Sequence, residues 1–350
     1  MKAALWHARQ DVRVMDVDEP SAGLRQVKIR VARCGICGTD VNEYRVGPIF
    51  ISSERPHPLT GKMAPVVLGH EFVGTIVEVG PGVQDLATGD RVTASGFVTC
   101  HECAPCQEGR PNHCKRLAGL GISLDGAMAE YVVVPAELCY KVPDSVSDVA
   151  GALIEPLAVG MRAVRRGRLR RSESAAIIGA GPIGLSALLS AKLAGAAPIF
   201  VVEPVESRRQ VALQLGATHV CDPLNEEVAR VVRRETGGRG VDLAVECVGR
   251  AETIDLALRM TGKAGRISVP GTFHAPIPTA FARLQGDEKE LIGSNGYLEE
   301  FAEAVACVAT GKIDPTPMVS DIVPLAQAAE AFAAITAHPD KHLKVLIAPA

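Results

Sequence analysis

The chain carries no strong excess of either charge: its formal net charge is −3 at pH 7 over 350 residues. It therefore has no general attraction for nucleic acid or an anionic membrane. Only one uncharged run reaches membrane-spanning length, Ser174 to Ala191, and it is broken by Gly179, Gly181, Pro182, Gly184 and three serines. A strand, a glycine turn and a helix explain it better than a span. No internal repeat or low-complexity segment is present. The opening residues Met1–Trp6 lack the apolar core and small-residue cleavage site of an export signal and read as a first strand. Ten cysteines without such a signal point to thiols and metal ligands in a reducing cytoplasm, not to disulfides. The arginine run Arg162, Arg165, Arg166, Arg168, Arg170 and Arg171 lacks interleaved aromatics and reads as a solvated connector. Small molecules are the expected partners; nucleic acid and membrane are not.

What is present is a globular composition, 47% hydrophobic and 22% charged, with length for two domains. Up to about residue 150 the chain is rich in short β-type runs, such as Gln26–Val31 and Gly74–Val79, separated by turn clusters. A long aperiodic loop from Tyr44 to Val66 carries four prolines, and loops of that length are usually functional or disordered. From about residue 155 strands alternate with helices, beginning with Ala175–Ile178 and a helix from Pro182. Such alternation implies a parallel sheet covered on both faces. Two further helices, through 298–309 and 325–335, and a last strand at 343–347 complete the chain.

Three constellations carry chemistry. Cys100, Cys103, Cys106 and Cys114, in a loop spanning 95–115, satisfy the tetrahedral preference of Zn²⁺ and leave no position for a substrate, so the site is structural. Gly179-Ala180-Gly181-Pro182-Ile183-Gly184 follows an apolar strand and opens a helix, where a pyrophosphate meets free N–H groups. Glu203 follows Gly184 by nineteen residues, the place of a carboxylate that binds the ribose hydroxyls of NAD and repels the 2′-phosphate of NADP. Arg208 and Arg209 keep NADP as a minority reading. The third set is dispersed: Gly35-Ile36-Cys37-Gly38-Thr39-Asp40, then Gly69-His70-Glu71, then Glu155-Pro156-Leu157. Cys, His and carboxylate are the ligands of catalytic zinc. Spacing alone cannot pair residues so far apart.

Taken in this order, these motifs resemble the zinc-containing medium-chain alcohol dehydrogenases over essentially the whole chain. The resemblance implies an α/β protein in two parts. A GroES-like, mainly β catalytic domain is made from 1–154 and 295–350, and a doubly wound Rossmann NAD-binding domain from 155–294, with the active site in the cleft. Glu155-Pro156-Leu157 is similar to the polyol and butanediol branch. Gly47–Ile51 and His57–Gly61 resemble the substrate-side loop of (R,R)-2,3-butanediol dehydrogenases. The resemblance makes Cys37 and His70 zinc ligands and Glu155 a third, direct or through water. Glu71 becomes a fourth ligand in a resting state or a group behind the ligands. Asp40 is implied to orient His70, and Thr39 to bond the substrate hydroxyl and begin a proton relay. Glu203 and Arg208 match ribose-side positions; Val269, Ser294 and Lys344 are expected toward the nicotinamide and pyrophosphate. Many relatives have a histidine two residues after the motif aspartate, where this chain has Asn42. An amide cannot pass a proton at neutral pH, which leaves ribose hydroxyls and water, another group such as His57, or no outer relay.

The expected activity is reversible hydride transfer between NAD and a small secondary alcohol or vicinal diol, with (R,R)-2,3-butanediol and acetoin the leading pair. Polyol (sorbitol-type) and L-threonine 3-dehydrogenases are the nearer alternatives, and a non-catalytic NAD-binding protein the alternative of another class. The family implies a homodimer or homotetramer. Metal analysis separates the classes: about two zinc ions per chain are expected for the enzyme, and about one, confined to the cysteine loop, for a non-catalytic relative.

Overall fold

The strand Gln26–Gly35 buries Val27, Ile29 and Val31 and forms the spine of a seven-stranded sheet. Along its length it pairs antiparallel with Glu71–Val79, and on its other edge with Tyr131–Pro135 and then the C-terminal strand Val345–Ala348. The registers place Glu71 and Leu346 opposite Gly35, on either side of it. In the computed structural model, which describes residues 1–349, this sheet belongs to one of two compact units, Met1–Glu155 together with the chain from Phe301 onward. A three-stranded sheet of Asp11–Asp16, Lys2–Ala8 and Val66–Val67 completes the β framework. Trp6, Ile29, Leu68, Phe72, Ile76, Met128 and Phe332 fill its core.

The second unit, Pro156–Glu300, holds a six-stranded sheet. Its order is His219–Cys221, Ile199–Val202, Ala175–Ile178, Val241–Glu246, Thr261–Val269, Glu290–Gly293, and every neighbouring pair is parallel. Ala175–Ile178 and Ile199–Val202 are buried at every position, as strands covered on both faces must be. Chain order reverses at Ala175–Ile178, the switch point beyond whose carboxyl end nucleotides bind in such sheets.

Several details differ from the sequence reading. The strand His219–Cys221 was not anticipated; at three residues it gives no usable pattern, and His219 is held by stacking on Phe200 at 4.7 Å. The arginine run is not simply solvated. Arg162 is largely buried and pairs with the fully buried Glu300 at 3.2 Å, Arg166 donates to the Gly293 carbonyl, and Arg168 pairs with Glu290. The run fastens the helix Ile154–Arg166 and the turn after it to the last strand of the sheet and the segment beyond. The long loop starts later than expected, because helix α1 (Gly38–Val46) takes in Tyr44. No helix among the described residues is long and apolar enough to cross a membrane.

The glycine turn after Ala175–Ile178 shows why its residues are small. Gly179 has a φ of +93°, in the region that side chains disfavour, and a Cβ on Gly184 would lie 1.8 Å from the Gly179 carbonyl oxygen. Gly184→Ala must push helix and strand apart and is expected to lower stability by about 1–3 kcal/mol in urea unfolding; an unchanged midpoint would contradict this packing.

Candidate active site and metal centres

Helix α1 begins at Cys37, which acts as its N-cap. The thiol accepts from the Thr39 N–H at 3.5 Å, and Asp40 Oδ2 accepts from the Cys37 N–H at 3.0 Å. This reciprocal capping fixes the rotamers of both side chains. The helix N-terminus also favours a thiolate there. His70 follows Gly69, whose φ of +97° turns the chain; a Cβ there would strike the buried Cys34 sulfur at 2.6 Å. Sheet register sets Glu71 opposite Gly35. The Cys37 sulfur, a His70 ring nitrogen and a Glu71 carboxylate oxygen lie within 4.8 Å of one another.

The electrostatics of this cluster are those of a site built around charge. Burial pushes the Cys37 thiol up, and Glu71 adds to this, against the opposing pull of His70 and Lys344. Burial alone would lower the His70 pKa, but Cys37 and Asp40 outweigh it and hold it well above the usual value. Burial raises Asp40 to about 6. Asp40 Oδ1 and His70 Nδ1 face each other at 3.9 Å, too far for a hydrogen bond, and both are buried without a hydrogen-bond partner. With Nδ1 turned to Asp40, Nε2 is left for a metal. A thiolate, an imidazole and a carboxylate converging in a partly buried site form a donor set that suits zinc. Glu155 opens the helix Ile154–Arg166; it stands outside the 4.8 Å group, although its charge acts on both His70 and Lys344.

Lys344 was expected at the pyrophosphate. The structure sets it beside the cluster: its ammonium pairs with Glu71 and donates to the Ile36 carbonyl at 3.0 Å, and both charged side chains are 1% exposed. Gly35 makes room for the pair, since a Cβ there would collide with the Glu71 carboxylate. Sequence reading missed this partnership. The only available signal was a charged residue heading a run of four apolar ones, Val345–Ile347 and Ala348.

The second centre gathers Cys100, Cys103, Cys106 and Cys114. Sulfur–sulfur separations are 3.4 Å for Cys100 and Cys114, 3.5 Å for Cys103 and Cys106, and 3.9 Å for Cys103 and Cys114. Tetrahedral zinc with Zn–S bonds of ~2.3 Å requires edges of about 3.8 Å, so the cage fits the ion. Backbone N–H groups of Glu102 and Cys103 pull the Cys100 thiol down to about 5. Lost hydration and the neighbouring sulfurs push Cys106 up to about 12. Four thiolates at this spacing require a cation.

At the carboxyl ends of the parallel strands, the helix Pro182–Leu193 starts without a side-chain cap, so its first N–H groups remain available. A Cβ at Gly181 would meet nothing within 4 Å, which leaves a ligand free to approach the backbone. Glu203, 4% exposed, accepts from the Ala180 N–H at 2.7 Å and thereby ties the second strand to the glycine turn. Arg208 lies in the first turn of the helix Glu206–Leu215. Arg209 is committed elsewhere, donating to the Glu203 and Pro204 carbonyls and pairing with Asp222 at 3.2 Å. Val269 and Ser294 are joined by the Ser294 N–H to Val269 carbonyl bond at 3.1 Å, and the Ser294 hydroxyl is buried without a partner. The geometry of this end fits a dinucleotide.

Residues 23–144 match the alcohol dehydrogenase GroES-like domain, and residues 182–310 match the zinc-binding dehydrogenase domain. The (R,R)-butanediol dehydrogenase of Bacillus subtilis (strain 168) is 36% identical over 350 residues, covering the full length of both chains. Sorbitol dehydrogenase of the same organism is 31% identical, over 100% of this chain and 97% of that one. The crystal structure of 2R,3R-butanediol dehydrogenase from Bacillus subtilis superposes with a TM-score of 0.93 at 35% identity, covering 100% of this chain and 99% of that one. The chain belongs to the zinc-binding alcohol dehydrogenase family. Its fold is the GroES-like and Rossmann combination of that family, and the protein is an oxidoreductase.

Within this family frame, both ring nitrogens of His57 are engaged by backbone groups. Its Nδ1 accepts from the Leu59 N–H at 3.3 Å and its Nε2 lies 3.1 Å from the Leu117 carbonyl, so both nitrogens fasten the loop. Replacing Cys106 by Ser is expected to remove about one zinc ion per chain and lower the thermal unfolding midpoint. Unchanged metal content would remove the structural assignment.

Proposed function

We propose that this dehydrogenase oxidises a short secondary alcohol or vicinal diol with NAD, reversibly, and that (R,R)-2,3-butanediol and acetoin are its leading substrate pair. The observation that carries the reading is the convergence of Cys37, at the amino end of α1, with the partly buried His70 and the buried Glu71. Support for the substrate comes from the full-length likeness to butanediol dehydrogenase and from the apolar residues Ile49, Phe50 and Ile51.

Zinc bound by Cys37 and His70 with a carboxylate of Glu71 or Glu155 supplies Lewis acidity that lowers an alcohol pKa, and bound NAD supplies the hydride acceptor. The chain's own residues do the remaining work. Thr39, in the first turn of α1, hydrogen-bonds the substrate hydroxyl and begins the relay, passing its own hydroxyl proton outward as it accepts the substrate's. Asn42 accepts from Arg45 at 3.4 Å and cannot carry that proton further. With His57 also engaged, the proton leaves through ribose hydroxyls and water. Asp40 holds the far side of the His70 ring, and Lys344 restrains Glu71. In the cofactor site the free N–H groups after Gly181 receive the pyrophosphate, with Pro182 and Ile183 forming the first turn over it. Glu203, beside Arg208, takes the ribose hydroxyls and repels a 2′-phosphate. Val269 and Ser294 flank the nicotinamide. The protein is read as a cytoplasmic homodimer or homotetramer, closed symmetric assembly being the commonest oligomeric state.

Cys37→Ser is expected to abolish turnover while the cysteine-loop zinc is retained; full activity in that variant would end the assignment. Initial rates with NAD on butanediol stereoisomers, sorbitol and threonine test the substrate, and a clear preference for sorbitol would displace butanediol. Glu203→Ala should shift the NADP-to-NAD ratio of kcat/KM upward by about tenfold or more, from loss of like-charge repulsion. An unaltered ratio would remove Glu203 from the ribose site.

A further inference from the structure

The first turns of α1 hold a second carboxylate that the chemistry above leaves unused. Glu43 is completely buried, makes no ion pair among the described residues, and is not part of the metal-binding group. A buried carboxylate without a cation is costly unless its oxygens are fully hydrogen-bonded. Here they are met by three consecutive backbone amides: Ile49 donates to Oε2 at 3.0 Å, and Phe50 and Ile51 donate to Oε1 at 2.5 Å and 3.3 Å. Successive N–H groups converging on an anion form a nest of this kind.

The rest of Glu43 is equally fixed. Its carbonyl accepts from Trp6 Nε1 and from the Gly47 N–H, each at 3.0 Å. A Cβ on Gly47 would lie 2.4 Å from that carbonyl oxygen and 2.5 Å from Oε2, so only glycine lets the loop close onto the carboxylate. Glu43 follows Asp40 by three residues on the buried side of α1, ~5 Å along the axis. One rigid helix thus presents one carboxylate to His70 and the next to the loop. In the clamped segment Ile51 is buried, whereas Ile49 and Phe50 are 37% and 56% exposed, two large apolar side chains held outward on an immobilised backbone.

We propose that Glu43 is a positioning residue for substrate selection: by gripping the amides of Ile49, Phe50 and Ile51 it sets an apolar wall at a fixed distance from the α1 residues that handle the alcohol. The proposal rests on the function assigned above. The wall favours alcohols whose carbinol carbon bears short alkyl groups, and Glu43 touches neither substrate nor cofactor.

The test compares Glu43→Gln and Phe50→Ala with the wild-type zinc-loaded protein on 2,3-butanediol and on propan-2-ol, which is too short to span the wall. Glu43→Gln keeps the volume but turns one acceptor into a donor facing an amide. Both variants should raise KM for the diol about tenfold, with kcat, the KM for NAD and the propan-2-ol parameters within about twofold. Hydrogen exchange at residues 49–51 should accelerate in Glu43→Gln and stay slow in Phe50→Ala. A purely structural Glu43 would lower stability and leave the diol-to-propan-2-ol ratio unchanged, and that result overturns the proposal. If Glu43→Gln does not fold, an unchanged ratio in Phe50→Ala overturns it equally. Wild-type protein inert on every alcohol would instead overturn the functional assignment, which separates the two failures.

Discussion

The buried pair between Lys344 and Glu71 is the contact on which the candidate site depends. Both side chains are 1% exposed, and neither charge could be kept there alone. Burial would lower the Lys344 pKa, but Glu71 and the Cys37 sulfur raise it and keep the ammonium charged. The pair requires a glycine at position 35, a strand bearing Glu71 on one side of it, and the last strand of the chain on the other. Residues separated by most of the sequence are thereby bound into one cluster, and Lys344 also fixes the Ile36 carbonyl directly before Cys37.

Around this point, α1 divides its residues by task. Its amino end offers Cys37 and Thr39, Asp40 caps the helix and faces His70, and Glu43 holds the following loop. The two metal sites contrast in a way their donors explain. The cysteine loop would surround a zinc ion with four sulfurs, and local backbone amides favour the Cys100 and Cys103 thiolates. The Cys37 cluster mixes donor types from a helix cap and from the start of the strand Glu71–Val79, and needs the pairing of that strand with Gln26–Gly35 to assemble. The first arrangement leaves no open coordination position, and the second does.

In the parallel-sheet unit, anion recognition is prepared by the backbone. Free N–H groups open the helix after Gly181, and Glu203 stiffens the glycine turn through Ala180. Arg209 is tied to Asp222, and Arg208 lies in the first turn of the helix Glu206–Leu215. The arginine run works in the same unit as a set of clasps, Arg266 adding bonds to the Gly167 and Arg168 carbonyls and to Glu173.

The sequence by itself determined the fold class, the cysteine cage and the glycine turn, because each is local: a thiolate spacing, a strand followed by glycines, an apolar run of the right length. It also supplied Cys37, His70 and Glu71, which the resemblance grouped before any geometry was available. Tertiary structure alone decided what surrounds them. Sheet register, not spacing, set Glu71 against Gly35 and brought Lys344 from the far end of the chain. Hydrogen bonds across the long loop engaged His57, which sequence had left open as a proton carrier. Glu43 was invisible because an isolated glutamate on a short helix has no pattern. Its role exists only where three amides of a later loop converge on it. Local chemistry is written in neighbouring residues, whereas long-range pairing depends on how strands align, and one register shift would undo it.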